Sequence, residues 1–194
     1  MVFADDQIPR WVTRLCVLDY ESVAVADKFG NVAVLRLPPD TSDDVEAPTA
    51  ARLLWDTAAL SGAATKAECS ANFHVGDTVT AIWKGALSVG GAEAVCYATI
   101  GGALGAFIPA ATRDDKEFFG HLEMHLREKL KLPSGRDHLS YRSYFMPVKA
   151  VCDLDLCDLF TSLPHADQRQ VAADLDRTPG EILKKLEDAR NRIL

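Results

Sequence analysis

The apolar residues of this chain change their period once, near residue 112, and that change limits the folds open to it. Before it, apolar residues come in short runs rich in β-branched and aromatic side chains. The runs at 11–18, 22–26, 32–37, 67–75, 78–83, 94–100 and 104–108 are expected strands. Turn residues punctuate most gaps: Phe29-Gly30-Asn31, Gly76-Asp77, Gly90-Gly91 and Gly101-Gly102. Short strands with tight turns mean an antiparallel all-β architecture: sandwich, barrel or propeller. The first four runs make one four-stranded unit, the size of a propeller blade. The last three make a second unit one strand short, so its closing strand is expected from elsewhere, with sequence N-terminal to this chain one source.

One turn invites a chemical reading. Asp27-Lys28-Phe29-Gly30-Asn31 places an acid, a base and a glycine together between two strands. A phosphate cradle needs consecutive amides at a helix N-terminus, and here a strand follows. The expectation is a hairpin in which Gly30 takes a positive φ and Asp27 accepts hydrogen bonds from the turn amides. Residues 38–66 interrupt the rhythm with Pro38-Pro39, the acids Asp40, Asp43, Asp44 and Glu46, and a mildly apolar stretch. They read as a surface excursion with one short helix, and the acids lack the ligand alternation of a calcium loop.

After Pro109 the pattern is helical. Asp114-Asp115 can cap a helix carrying Phe118, Phe119, Leu122, His125, Leu126 and Leu130 on one face, and Pro133-Ser134-Gly135 stops it. A second helix begins at Asp153 and ends by Pro164, and a third covers 166–175. In the fourth, Thr178 is the N-cap, Pro179 holds the first position and Glu181 completes a capping box. Its stripe is Ile182, Leu183, Leu186, Ala189 and Ile193. The division is 1–112 for the β part and 113–194 for the helical part.

Charge and cysteine narrow the function classes. The net charge of −7 and pI near 5.2 argue against a dedicated nucleic-acid coat, which carries a basic stripe. No apolar run approaches the ~18 residues of a membrane span. Met1 to Arg10 lacks the basic start and apolar centre of a signal peptide, so a cytosolic or nuclear protein is expected. The cysteines, Cys16, Cys69, Cys96, Cys152 and Cys157, form no Cys-x-x-Cys pair. They read as reduced and mostly buried.

Candidate chemistry is sparse. His-Leu-Glu-Met-His puts His121 and His125 four apart on one helix face, a zinc-compatible spacing, but neither peptidase pattern has its glutamate in place. Ser140 and Ser143 near His138 lack a nucleophile elbow. Gly-Gly-Ala-Leu-Gly at 101–105 lacks both the spacing and the helix of a dinucleotide fold. No catalytic residue, metal or cofactor is therefore expected. Tyr141, Arg142, Tyr144 and Phe145 are residue types common at binding hot spots. They either seat the helical part against the sheets or meet a partner.

Long segments carry a resemblance. FADDQIPRWVT, DYESVAVADKFGNVAVLRLP, FHVGDTV, FFGHLEMHLR, GRDHLSYRSYFMPVKAV and LDRTPGEILKKLED run in order through the chain. They closely resemble the C-terminal region of the splicing factor 3b subunit 3 family. Where that branch has a glycine after Val-x-Asp, this chain has Leu154, and residues 38–66 also depart in detail. The wider family includes the large subunits of the damaged-DNA-binding protein and of the cleavage and polyadenylation specificity factor.

The resemblance implies the last blades of a β-propeller followed by an all-α C-terminal domain, in a fragment of a larger multi-propeller protein that needs its N-terminal propeller portion. It implies a nuclear, non-enzymatic scaffold of the U2 small nuclear ribonucleoprotein that supports branch-site recognition. The implied partners are the HEAT-repeat subunit and small accessory subunits of splicing factor 3b, with RNA contact indirect or minor and no membrane. Two alternatives stand beside it: a scaffold of a sister branch, serving ubiquitin ligation, DNA-damage binding or RNA 3′-end processing, and a metal-dependent hydrolase using His121 and His125.

Overall fold

The computed structural model describes residues 4–39, 41, 63, 65–130 and 135–192. Strands β2 (Val12–Val17), β3 (Ser22–Asp27), β4 (Asn31–Arg36) and β5 (Thr65–His74) form an antiparallel meander. A short strand, β1 (Ala4–Asp6), adds to the free edge of β5 in parallel. Strands β6 (Val79–Ala86), β7 (Glu93–Thr99) and β8 (Leu104–Phe107) make a second antiparallel sheet. The expected excursion and short helix between β4 and β5 fall almost wholly outside the described residues.

The register explains why β3 and β4 read as near-continuous apolar runs. Val23 faces Leu35, Val25 faces Ala33 and Ala26 faces Val32, so alternate pairs line opposite faces. Val25, Ala33 and Leu35 form one buried cluster with Val23, Ala67 and Cys69. Ala26 and Val32 pack on the second sheet through Val79, with Ile82, Tyr97 and Phe107 beside them. Both faces of the central pair are therefore covered, which removes the usual polar alternation. Thr13 Oγ1 to the Val79 carbonyl (2.7 Å) and Thr78 Oγ1 to the Lys28 carbonyl (2.7 Å) tie the sheets together.

Helices follow: α1 (Arg113–Lys129), α2 (His138–Arg142), α3 (Leu154–Asp158) with a 3-10 turn (Leu159–Ser162), α4 (His165–Asp174) and α5 (Pro179–Asn191). The N-cap of α1 is Thr112, whose side chain accepts from the Asp115 amide, and not the Asp114-Asp115 pair. The acids sit in the first turn, where they still meet the helix dipole. The capping box of Thr178 and Glu181 is formed in both directions. Phe118, Leu122 and Leu126 project from α1 into a cluster with Leu156, Cys157, Phe160, Val171, Ile182 and Leu186. Leu183 of the expected α5 stripe is instead 40% exposed. No described helix is long and apolar enough to cross a membrane.

All five cysteines are free. Only Cys96 and Cys157 are buried, and the other three are half-exposed, which corrects the expectation of mostly buried thiols. Desolvation pushes the Cys157 thiol well above its ordinary range, so it stays neutral and behaves as a small apolar side chain.

Candidate functional site

The hairpin turn between β3 and β4 fixes one side of the site. Gly30 has φ +83°, and Asp27 Oδ1 accepts from the amides of Phe29 (2.9 Å) and Asn31 (3.0 Å). Asp27 Oδ2 accepts from Asn31 Nδ2 at 2.8 Å, which turns the Asn31 carbonyl oxygen toward His74 Nδ1, 3.1 Å away. An amide oxygen only accepts, so Nδ1 of His74 carries the proton. Burial, then the Arg142 charge, lowers the His74 pKa, so the ring is neutral at pH 7. The turn is structural, as the sequence implied, and through Asn31 it extends to His74 as a hydrogen-bond relay.

The segment after α1 docks on this edge. Asn72 exchanges two backbone hydrogen bonds with Lys149, each 3.0 Å, and its side-chain amide donates to the carbonyls of Met146 and Pro147. Arg142 reaches from α2 to both sides of the joint. Nη1 donates to the His74 carbonyl (3.1 Å), while Nε and Nη2 each lie 2.7 Å from Asp153 Oδ2. Its guanidinium also covers the Phe73 ring, 4.7 Å from the centroid.

Asp153 is the hub. Its Oδ1 caps α3 by accepting from the amides of Asp155 and Leu156, and its Oδ2 also meets His138 Nε2 at 2.8 Å. Burial pushes the Asp153 carboxyl up, but the His138 hydrogen bond and the Arg142 charge outweigh it and hold the carboxyl below its usual range. Among the described residues His138 Nδ1 has no hydrogen-bond partner, and it lies 3.8 Å from Glu123 of α1. Burial pushes the Glu123 carboxyl up.

The four interface candidates divide. Arg142 is turned inward, as described. Tyr141 lies edge-on to His74, with centroids 5.5 Å apart, and its hydroxyl occupies the space where a Cβ on Gly76 would go. Gly76 has φ +97°, so a side chain there would be both strained and in collision with Tyr141. Tyr144 and Phe145 face outward, 60% and 52% exposed. Phe145 stacks on Phe29 at 4.7 Å, and Tyr144 sits 5.6 Å from His74.

The other motifs lead to structural roles. Ser140 Oγ donates to Asp137, and Ser143 Oγ accepts from the Val148 amide. His138, the nearest imidazole in sequence, is held by Asp153. His121 is exposed, while His125 lies 4.0 Å from Asp174. Among the described residues, no group of three or more His, Cys, Asp or Glu side chains converges as a metal site would require. The sequence carries no motif around His74 or His138. The convergence of His138 and Arg142 on Asp153 had one available signal: the two are four apart, on one helix face, ahead of an N-cap aspartate.

Comparison with known proteins covers nearly all of this surface. The sequence matches the family described as CPSF A subunit region over residues 1–162. It is 51% identical to Splicing factor 3B subunit 3 of Danio rerio over 193 residues, 99% of this chain and 16% of that protein. It is 49% identical to Spliceosome-associated protein 130 A of Arabidopsis thaliana, over 100% of this chain and 16% of that protein. It is 46% identical to Pre-mRNA-splicing factor RSE1 of Mycosarcoma maydis, over 98% of this chain and 16% of that protein. The chain thus spans 16% of the length of these relatives. The family match takes in both sheets, α1 and the docked segment through the 3-10 turn, and on it the chain belongs to the CPSF A subunit region family.

Proposed function

We propose that this chain is a non-enzymatic scaffold segment of splicing factor 3b, working in the nucleus within the U2 small nuclear ribonucleoprotein. The observation that carries the reading is identity of 46–51% through nearly the whole chain to proteins named as splicing factors in an animal and a fungus and as a spliceosome-associated protein in a plant. In this reading the two sheets are the last blades of a β-propeller (residues 1–112), and residues 113–194 are a helical C-terminal domain. A strand from elsewhere in the parent polypeptide completes the second blade. The partners are the HEAT-repeat subunit and small accessory subunits of splicing factor 3b, and RNA contact is indirect or minor.

Tyr141, Arg142, Tyr144 and Phe145 serve this role in two ways. Tyr141 and Arg142 hold the docked segment rigid, and Tyr144 and Phe145 offer surface to a partner. Aromatic side chains supply contact area at low entropic cost, which suits them to interfaces. The family description leaves a sister-branch scaffold as the second reading.

The test is purification of the tagged full-length protein from native extract, with identification of co-purifying proteins. Splicing factor 3b subunits in stoichiometric amounts are expected. Recovery of ubiquitin-ligase or RNA 3′-end-processing subunits in their place would reassign the chain to a sister branch.

A further inference from the structure

We propose that an outward strip formed by Trp11, Lys28, Phe29, Phe145, Tyr144 and Arg136 docks an acidic protein segment carrying an apolar side chain beside its carboxylates. The inference rests on the scaffold reading and adds the chemistry of the partner. The strip is continuous. Lys28 Nζ lies 3.7 Å above the Trp11 ring and 5.1 Å from the Phe29 ring. Phe29 stacks on Phe145 at 4.7 Å, and Tyr144 follows at 6.1 Å. The Arg136 guanidinium closes the run 5.8 Å from the Tyr144 ring.

Trp11 is 66% exposed and Phe29 44%, and Tyr144 and Phe145 are as open. Single exposed apolar residues are ordinary on any surface, but four connected aromatics are not. They come from three separate segments: the chain before β2, the β3–β4 turn and the segment flanking α2. Each is fixed from behind. Asp27 holds the turn through the Phe29 and Asn31 amides, the Lys28 amide donates to the Trp11 carbonyl, and Ser143 Oγ braces Val148. A surface held in place before binding loses less entropy when a partner arrives.

Charge selects the occupant. Among the described residues, neither Lys28 nor Arg136 has a carboxylate within 4.0 Å, whereas Arg10, Arg36, Lys66, Lys84 and Lys185 each do. The nearby acids are engaged elsewhere: Asp27 inside its turn and Asp137 at the N-cap of α2. The strip is thus a positive patch on a chain of net charge −7. Aromatic ring edges are also the positive side of the ring quadrupole, so they too favour carboxylates.

A nucleic acid fits less well. Bases need open ring faces, and here Lys28 covers a Trp11 face while Phe29 and Phe145 lie 21° from parallel on one another. Two cations are also few against a phosphate backbone.

The test replaces Tyr144 in the tagged full-length protein with p-benzoylphenylalanine and irradiates the assembly purified from native extract. The expected product is a crosslink to a segment of another protein with acidic and apolar residues at the attachment point. Lys28→Glu with Arg136→Glu should weaken binding of a synthetic copy of that segment at least about tenfold. Arg14→Glu, an exposed charge on β2, should leave it unchanged. A crosslink to the protein's own chain, to RNA or to a segment without acids, no crosslink at all, or a charge reversal without effect would overturn the proposal. Co-purifying proteins are identified in the same sample. If splicing factor 3b subunits are absent, the scaffold reading fails. If they are present and the crosslink or charge reversal fails, only the strip does.

Discussion

Asp153 accepts from His138, Arg142 and two helix amides while only 5% exposed. Removing a partner from a buried charge costs more than the pair contributes, because the remaining charge cannot reach water. Arg142→Met is therefore expected to cost about 3 kcal/mol locally. Amide exchange at Asp155 and Leu156 reads this directly, and their protection should fall by about a hundredfold. Adding Asp153→Asn should restore part of it, and unchanged protection in Arg142→Met would show that the hub is not under load.

His74 gives a pH prediction. Its folded pKa lies below the ordinary value because of burial, then Arg142. The unfolded chain therefore takes up the proton first, and this contribution to stability is complete above the unfolded pKa near ~6.5. It is lost as the pH falls toward the folded pKa. A titration followed by NMR should place the His74 midpoint below ~6.5, and a midpoint at or above it would contradict the neutral relay. The Asp27 turn was legible in sequence because all its parts lie within five residues. Asp153 was not: its partner His138 is 15 residues away, and Glu123 belongs to a different helix. Neither distance leaves a local pattern.

Elements were legible in proportion to how local their causes are. Strands β2 to β8 and the longer helices follow from short β-branched and aromatic runs, glycine turns and the Thr178 capping box. β1 escaped because Ala-Asp-Asp has no apolar alternation. Side chains far from it in sequence hold it, with Asp5 meeting Lys66 Nζ at 2.6 Å and the Ala63 amide at 3.0 Å. α2 escaped because five residues carry too little periodicity. At this scale Gly30 is the sharpest test. A Cβ there would sit 2.8 Å from the Asp77 backbone nitrogen and oxygen, in addition to the strain of φ +83°. Gly30→Ala should destabilise the paired sheets by about 2–3 kcal/mol, read as a lowered midpoint in denaturant. A cost under about 0.5 kcal/mol would mean that the turn adapts freely. In the helices, Phe160→Ala empties a site that is 0% exposed and should cost about 3–5 kcal/mol.

Among the described residues the molecule has three packing centres, one between the sheets, one on the opposite face of β3 and β4, and one among the helices; the sheets and helices are joined through Asn72, His74, Arg142 and Lys149. Its sheet margins are unfinished among the described residues. β8 pairs only with β7, and its first residue, Leu104, is 78% exposed, while on β2 Leu15 is 61% and Val17 67% exposed. Open strand edges invite pairing with other chains. At about 25 cal/mol per Å², roughly 400 Å² of wet apolar surface forgoes about 10 kcal/mol, the size of a domain's whole stability. The isolated 194-residue chain is thus expected to associate on sizing columns and to melt broadly, whereas a monodisperse monomer with one sharp transition would show that the sheets close on themselves.

The most direct measurement of the central proposal is an electron cryo-microscopy reconstruction of the assembly purified through the tagged full-length protein. The expected map has the two sheets as neighbouring blades of one ring, a strand of the same polypeptide along the free edge of β8, and splicing factor 3b subunits in contact with the chain. A map in which the two sheets stand alone as a closed sandwich, or in which no splicing factor 3b subunit is present, would contradict it.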